Sequence, residues 1–152
     1  MKSVTIATTS FALVLVGILT AAMAQDTKGP QKNEVKFVCA EEAKFKEMAP
    51  GASRCPISGD AEKGAYRAFT KFPPAASFAL HTHPNDIDIV VVKGAYVYKP
   101  EKGEERRVGP GCYLHIPAGD RHVSGGDPKD GALFYEESQS KFGLAYIGET
   151  EK

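Results

Sequence analysis

From Gly51 onward the chain consists of short apolar runs with a period of two, each cut off by turn residues. Ala65–Phe72 reads as one strand, closed by Pro73-Pro74, and Phe78–His83 as the next, closed by Pro84-Asn85-Asp86. Ile87–Val92 is strongly β-branched and runs into Lys93-Gly94. Ala95–Lys99 then returns, followed by a charged hairpin through Lys102-Gly103-Glu104-Glu105. Cys112–Ile116 follows Gly109-Pro110-Gly111, and Ala132–Glu136 follows a Gly/Asp/Pro loop over 125–131. About seven strands at this spacing predict a β-barrel or sandwich, without internal repeats. Upstream, Val35–Val38 alternates as a short strand would. Ala40–Met48 carries Phe45 and Met48 at i,i+3 spacing before Pro50-Gly51, which predicts the one helix.

The first residues have a different character. Lys2, the apolar stretch Phe11–Leu19 and the small-x-small triplet Ala22-Met23-Ala24 form the pattern of a secretory signal peptide cut after Ala24. That apolar stretch is short for a membrane span, and the chain turns polar at Gln25. The expected organisation is a signal peptide at 1–24, a flexible lead-in at 25–34 around Gly29-Pro30, and one barrel domain at 35–150. The expected location is periplasmic or secreted, with no stable membrane anchor after cleavage.

Charge narrows the partners. Among 152 residues, 19 basic and 19 acidic side chains are interspersed. No basic stripe exists, so nucleic acid is not an expected partner. Export permits disulfides. Cys39 and Cys55 could pair or stay as separate thiols, and Cys112, in a strand pattern, reads as a small core residue.

The chemistry is concentrated in histidines. In His81-Thr82-His83 the two imidazoles sit at i and i+2, which on a strand puts them on one face about 7 Å apart. His122 lies far enough downstream to supply a third ligand from a neighbouring strand. His115 has the opposite parity to Leu114 and Ile116, so it faces solvent or supports the site from outside. Tyr96, Tyr98 and Tyr113 could line a cavity mouth or simply pack. Arg121 could bind a substrate carboxylate or lie on the rim.

These residues resemble the cupin superfamily, small antiparallel jelly-roll barrels. Its second motif (Gly, five residues, Pro, any, Gly, two residues, His) is met by Gly111, Pro117, Gly119 and His122. Its first motif is met by His81, His83 and Gly94, whereas its leading glycine is replaced by Ala75. A narrower likeness, to a single-domain bacterial family with no assigned reaction (the DUF4437-like group), rests on 59–64, Lys71-Phe72-Pro73, Val91–Gly94, Gly109-Pro110-Gly111 and Lys141-Phe142. The resemblance implies an all-β jelly-roll barrel and a divalent transition metal ion (Fe, Mn, Zn, Ni or Cu) on His81, His83 and His122. It also implies a small-molecule ligand and a possible homodimer. The carboxylate that cupins place in the first motif falls on Ile87, flanked by Asp86 and Asp88 as candidate fourth ligands. Either a metal enzyme with oxygenase, decarboxylase or lyase chemistry, or a binding or sensing barrel, fits this pattern. A metal-free barrel with vestigial histidines is the third reading.

Overall fold

The structure of the protein, a computed structural model, describes residues 35–148. The signal-peptide and lead-in segments lie outside the described residues. Eleven antiparallel strands build two sheets: β1 (Lys46–Ala49), β2 (Ala52–Gly59), β3 (Tyr66–Phe72), β4 (Ser77–Thr82), β5 (Ile87–Gly94), β6 (Tyr96–Pro100), β7 (Arg106–Val108), β8 (Tyr113–Ile116), β9 (His122–Gly126), β10 (Ala132–Ser138) and β11 (Ala145–Tyr146). The strand orders are β1-β2-β3-β10-β5-β8 in one sheet and β11-β4-β9-β6-β7 in the other. This is the all-β jelly roll that the motifs imply.

Alternation decides which side chains fill the space between the sheets. Tyr66, Ala68, Thr70 and Phe72 on β3 point inward, as do Ile87, Ile89 and Val91 on β5 and Ala132, Phe134, Glu136 and Ser138 on β10. Phe72 anchors the apolar end, with ring centroids 4.7 Å from Phe78 and 4.9 Å from Phe134.

Several local expectations change. Residues 40–48 are not a helix: a turn at Cys39–Glu42 leads into β1, which pairs with β2 across Pro50-Gly51. The i,i+3 spacing does not make a helix because Met48 lies on the edge strand β1, paired to β2, and Phe45 lies in the irregular segment just before it. Phe45 carries the Lys71 ammonium 4.5 Å from its ring centroid. Residues 35–38 form no strand, and Val35 and Phe37 are exposed. Cys112 is exposed rather than in the core, because it belongs to the turn closed by its own N–H to Gly109. Cys39 and Cys55 are separate free thiols, the first exposed and the second buried. No helix among the described residues is long and apolar enough to cross a membrane.

Ala75, which stands where the first cupin motif begins with glycine, has φ +58°. That left-handed conformation strains any residue with a Cβ, by about 1–2 kcal/mol. Replacing this exposed Ala75 with glycine is therefore expected to raise stability by up to about 1 kcal/mol, after the greater freedom of glycine in the unfolded chain is subtracted. Urea unfolding midpoints of the two proteins measure the difference, and a lower midpoint for Ala75→Gly would refute it.

Candidate metal centre

Strand β4 cannot present both Phe78 and His81 to the interior by simple alternation, since their spacing is odd. A β-bulge resolves this: Phe78 pairs with Ser124 and His81 with His122, so three steps on β4 match two on β9. His81 and His122 thereby become direct cross-strand neighbours, with ring centroids 4.3 Å apart. His83 follows the end of β4, and its ring centroid lies 5.1 Å from that of His81 and 5.4 Å from that of His122. The carbonyl of His83 accepts the Gly119 N–H at 2.9 Å, and Gly119 adopts φ +78°. The Pro-x-Gly turn of the second motif is thus tied to the histidine pair of the first, and its glycine permits the required backbone.

The three rings are almost fully buried, and one nitrogen of each lies within 4.8 Å of the others. Their outer nitrogens are occupied. His81 Nδ1 lies 2.7 Å from the Ala79 carbonyl and His83 Nδ1 2.7 Å from the Gly143 carbonyl. His122 Nδ1 lies 3.1 Å from Asp120 Oδ2 and 3.3 Å from the Asp120 carbonyl. All of these partners are acceptors, so the hydrogen-bond network assigns the proton to each Nδ1 and leaves each Nε2 with a free lone pair. His122 Nε2 is buried without any hydrogen-bond partner. An orphaned buried acceptor is costly unless something binds it. Three neutral imidazoles with converging lone pairs suit a divalent transition metal ion.

The surroundings hold this arrangement. Tyr98 stacks on His122 with centroids 5.2 Å apart, and its hydroxyl donates to Asp120 Oδ2 at 2.8 Å. Gly143 leaves no room for a side chain, because a Cβ there would sit 2.6 Å from Pro84 Cγ. That close approach keeps the Gly143 carbonyl on His83. Asp120 and Gly143 were not apparent as site residues from the sequence, although Asp-x-His in the second motif was the available signal for Asp120. An Asp120→Asn variant is expected to weaken metal affinity by about 10- to 100-fold, as loss of a ligand-orienting carboxylate does. Competition titration against a chelator measures it, and an unchanged affinity would show that Asp120 does not orient the ring.

Burial keeps the imidazoles neutral. It lowers His81, and it lowers His122 with help from neighbouring His81. It pushes His83 down from 6.5 to about 4, although the Gly143 hydrogen bond works the other way. Between those two values the unfolded chain binds a proton at His83 that the folded chain does not, so folding stability rises with pH. In metal-free protein this contribution is complete above pH 6.5 and is lost as pH falls toward 4, about 3 kcal/mol in all. Unfolding midpoints between pH 7 and 4 are expected to show this slope in wild type and a flatter one in His83→Leu. Equal slopes would contradict it.

The aspartates do not join the cluster. Asp88 alternates with inward Ile87 and Ile89, so it faces out and accepts hydrogen bonds from Tyr113 and, at 2.8 Å, from His115 Nδ1. Asp86 is exposed at the turn, where it accepts the Ala118 N–H at 2.7 Å and braces the second-motif loop. Ile87 occupies the usual carboxylate position and is itself buried. His115 and Tyr113 are exposed on the outer face, and Arg121 is held by Glu101 at 2.8 Å on the rim. Tyr96 is a core residue.

His81 and His83 open on a cavity of about 200 Å³ between the sheets, while His122 packs against His81 and Tyr98. Phe72, Phe78, Phe134, Phe142, Ile87 and Ile89 supply much of its apolar wall. Its mouth is apolar: Met48, Leu144 and Tyr146 line it and are each more than a third exposed. Deeper in, the wall carries Arg54, Thr70 and Glu136. Arg54 and Thr70 carry no local sequence signal for a site. The signal was present for Glu136, whose parity matches Ala132 and Phe134 on β10.

Residues 33–141 match the family model of the ChrR cupin-like domain. The chain belongs to this cupin family. No curated protein sequence matches it. Among solved structures, the polyketide cyclase RemF from Streptomyces resistomycificus is similar at 20% identity and a TM-score of 0.65, covering 78% of this chain and 89% of RemF. KdgF from Halomonas sp. is 25% identical with a TM-score of 0.54, covering 68% of this chain and 94% of KdgF. The DMSP lyase DddQ from Ruegeria pomeroyi is 16% identical with a TM-score of 0.57, covering 72% of this chain and 64% of the lyase. At 20% and 16% identity, the cyclase and the lyase share the fold with this chain.

Proposed function

We propose that this cupin is an exported metal-dependent enzyme that acts on a small organic molecule, with its ion on His81, His83 and His122. The observation that carries the reading is the unpartnered, fully buried Nε2 of His122, beside two further imidazoles whose Nδ1 atoms are already committed. A bound divalent ion supplies Lewis acidity toward an oxygen or sulfur atom of the substrate. The chain's own residues do the rest. The carbonyls of Ala79 and Gly143 and the carboxylate of Asp120 fix the rings, and apolar side chains line much of the cavity beside them. Oxygenation, decarboxylation and lyase chemistry all suit such a site, and similarity to a cyclase and a lyase favours an enzyme. The pattern at residues 1–24 supports export, which N-terminal sequencing of the mature protein tests.

One observation favours a binding or sensing barrel instead. The carboxylate in the cavity wall, Glu136, is engaged by Arg54 and Thr70 and so is not free to act as a base. Turnover separates the two readings. Protein loaded in turn with Fe(II), Mn(II), Zn(II), Ni(II) and Cu(II) is expected to convert at least one member of a panel of small acids, thiols and phenols, and His81→Ala is expected to be inert. Inertness of every loaded form, with binding retained, would replace the enzyme by the binding module.

A further inference from the structure

Arg54 is an expensive residue to keep where it is. It rises from β2 into the cavity wall with its side chain only 11% exposed. The guanidinium carbon lies 4.3 Å from the ring centroid of Phe142 and 5.1 Å from that of Tyr66, so aromatic rings flank the group. Its Nη2 pairs with Glu136 Oε1, itself bonded by the Thr70 hydroxyl at 2.8 Å, and its Nε reaches Thr70 Oγ1 at 3.4 Å. These contacts use one edge of a group with five N–H donors. An apolar pair of similar volume would hold the two strands together as well or better. The same Phe142 ring lies 5.5 Å from the His83 ring, so the arginine and the histidines share one small chamber.

We propose that Arg54 is the residue by which this cavity recognises its ligand, and that the ligand is a small carboxylate with an apolar body about one ring in size. Glu136 and Thr70 hold the guanidinium in place, and the Nη1 edge meets the ligand's carboxylate in the two-point geometry that arginine favours. The apolar body lies against Phe72, Phe78, Phe134 and Ile89. Size follows from volume: a dry cavity of about 150 Å³ accepts benzene, and this one measures about 200 Å³. Charge points the same way. Arg54 and Glu136 cancel and no ligand carboxylate stands at Ile87, so the Asp120 carboxylate on His122 Nδ1 offsets only part of a divalent ion's charge and an anionic ligand completes the balance.

The inference deepens the proposed function and rests on that reading for the ligand's approach to the histidines. Recognition by Arg54 is nevertheless measurable without metal. Benzoate and its uncharged analogue benzamide serve as probes in calorimetric titrations of metal-free and Zn(II)-loaded protein. The metal-free wild type is expected to prefer benzoate by about 10- to 100-fold. Arg54→Met/Glu136→Leu is expected to stay folded and to lose the preference. Arg54→Lys, which keeps the charge and the Glu136 pair but not the fork, is expected to retain only a reduced preference. Equal binding of the two probes by wild type, binding of neither, or a full preference in the double variant overturns the proposal. Failure to retain Zn(II) alongside an intact benzoate preference overturns the metal-enzyme reading and leaves this one standing.

Discussion

Substitution of His122 by alanine is expected to abolish metal retention and with it the stabilisation that metal confers. His122 has no solvent exposure, and its free Nε2 faces two imidazoles whose other nitrogens are engaged. Removing it leaves two ligands on one short segment, His81 and His83, and the cross-strand ligand is gone. The loss in affinity should exceed the roughly 100-fold upper figure for removing an orienting partner. Ligand binding to the native state adds about 4 kcal/mol when free metal stands a thousand-fold above the dissociation constant. Wild type should therefore melt at higher temperature with Zn(II) than after chelation, and His122→Ala should melt identically in both. Chelated samples of the two proteins serve as the folding control. A metal-dependent shift that survives in His122→Ala would contradict the site.

The second large effect concerns folding. Arg54→Met leaves Glu136 in the interior with only the Thr70 hydroxyl, its side chain 5% exposed. Burial already raises Glu136, and the Arg54 charge is the largest influence opposing that rise. Breaking a buried pair from one side costs about 3–5 kcal/mol, whereas replacing both partners by apolar residues is often neutral. The single variant is expected to lose that amount near neutral pH and to recover part of it in acid, where Glu136 takes up a proton. Arg54→Met/Glu136→Leu is expected to regain most of it. Denaturant midpoints of the three proteins decide the matter; a single variant as stable as the double one would refute the coupling.

Strands β3 and β10 announce themselves because every second residue is buried without a break, and β5 does so by its β-branched run. The histidine triad was readable because two motifs fix its spacing, and the outward turn of Asp88 follows from parity with Ile87 and Ile89. Strand β9 was hidden by Gly125 and Gly126, which look like loop residues but lie close beneath the chain at Pro73–Ala76, where a Cβ would meet carbonyl oxygens at 2.5 and 2.8 Å. The bulge in β4 carries no local signature, yet it is what sets His81 opposite His122. Arg54, Thr70 and Glu136 come from β2, β3 and β10, so only the sheet order brings them together. The false helix at 40–48 came from the same source: local spacing yielded to pairing with β2.

Elemental analysis tests the central claim most directly. The protein, purified without added metal and then offered Zn, Fe, Mn, Ni and Cu in turn, is measured beside His81→Ala/His83→Ala. A centre on His81, His83 and His122 requires a single divalent transition metal ion per chain in wild type and none in the variant. A wild type that takes up none of the five, or a variant that retains the same ion at the same occupancy, would contradict it.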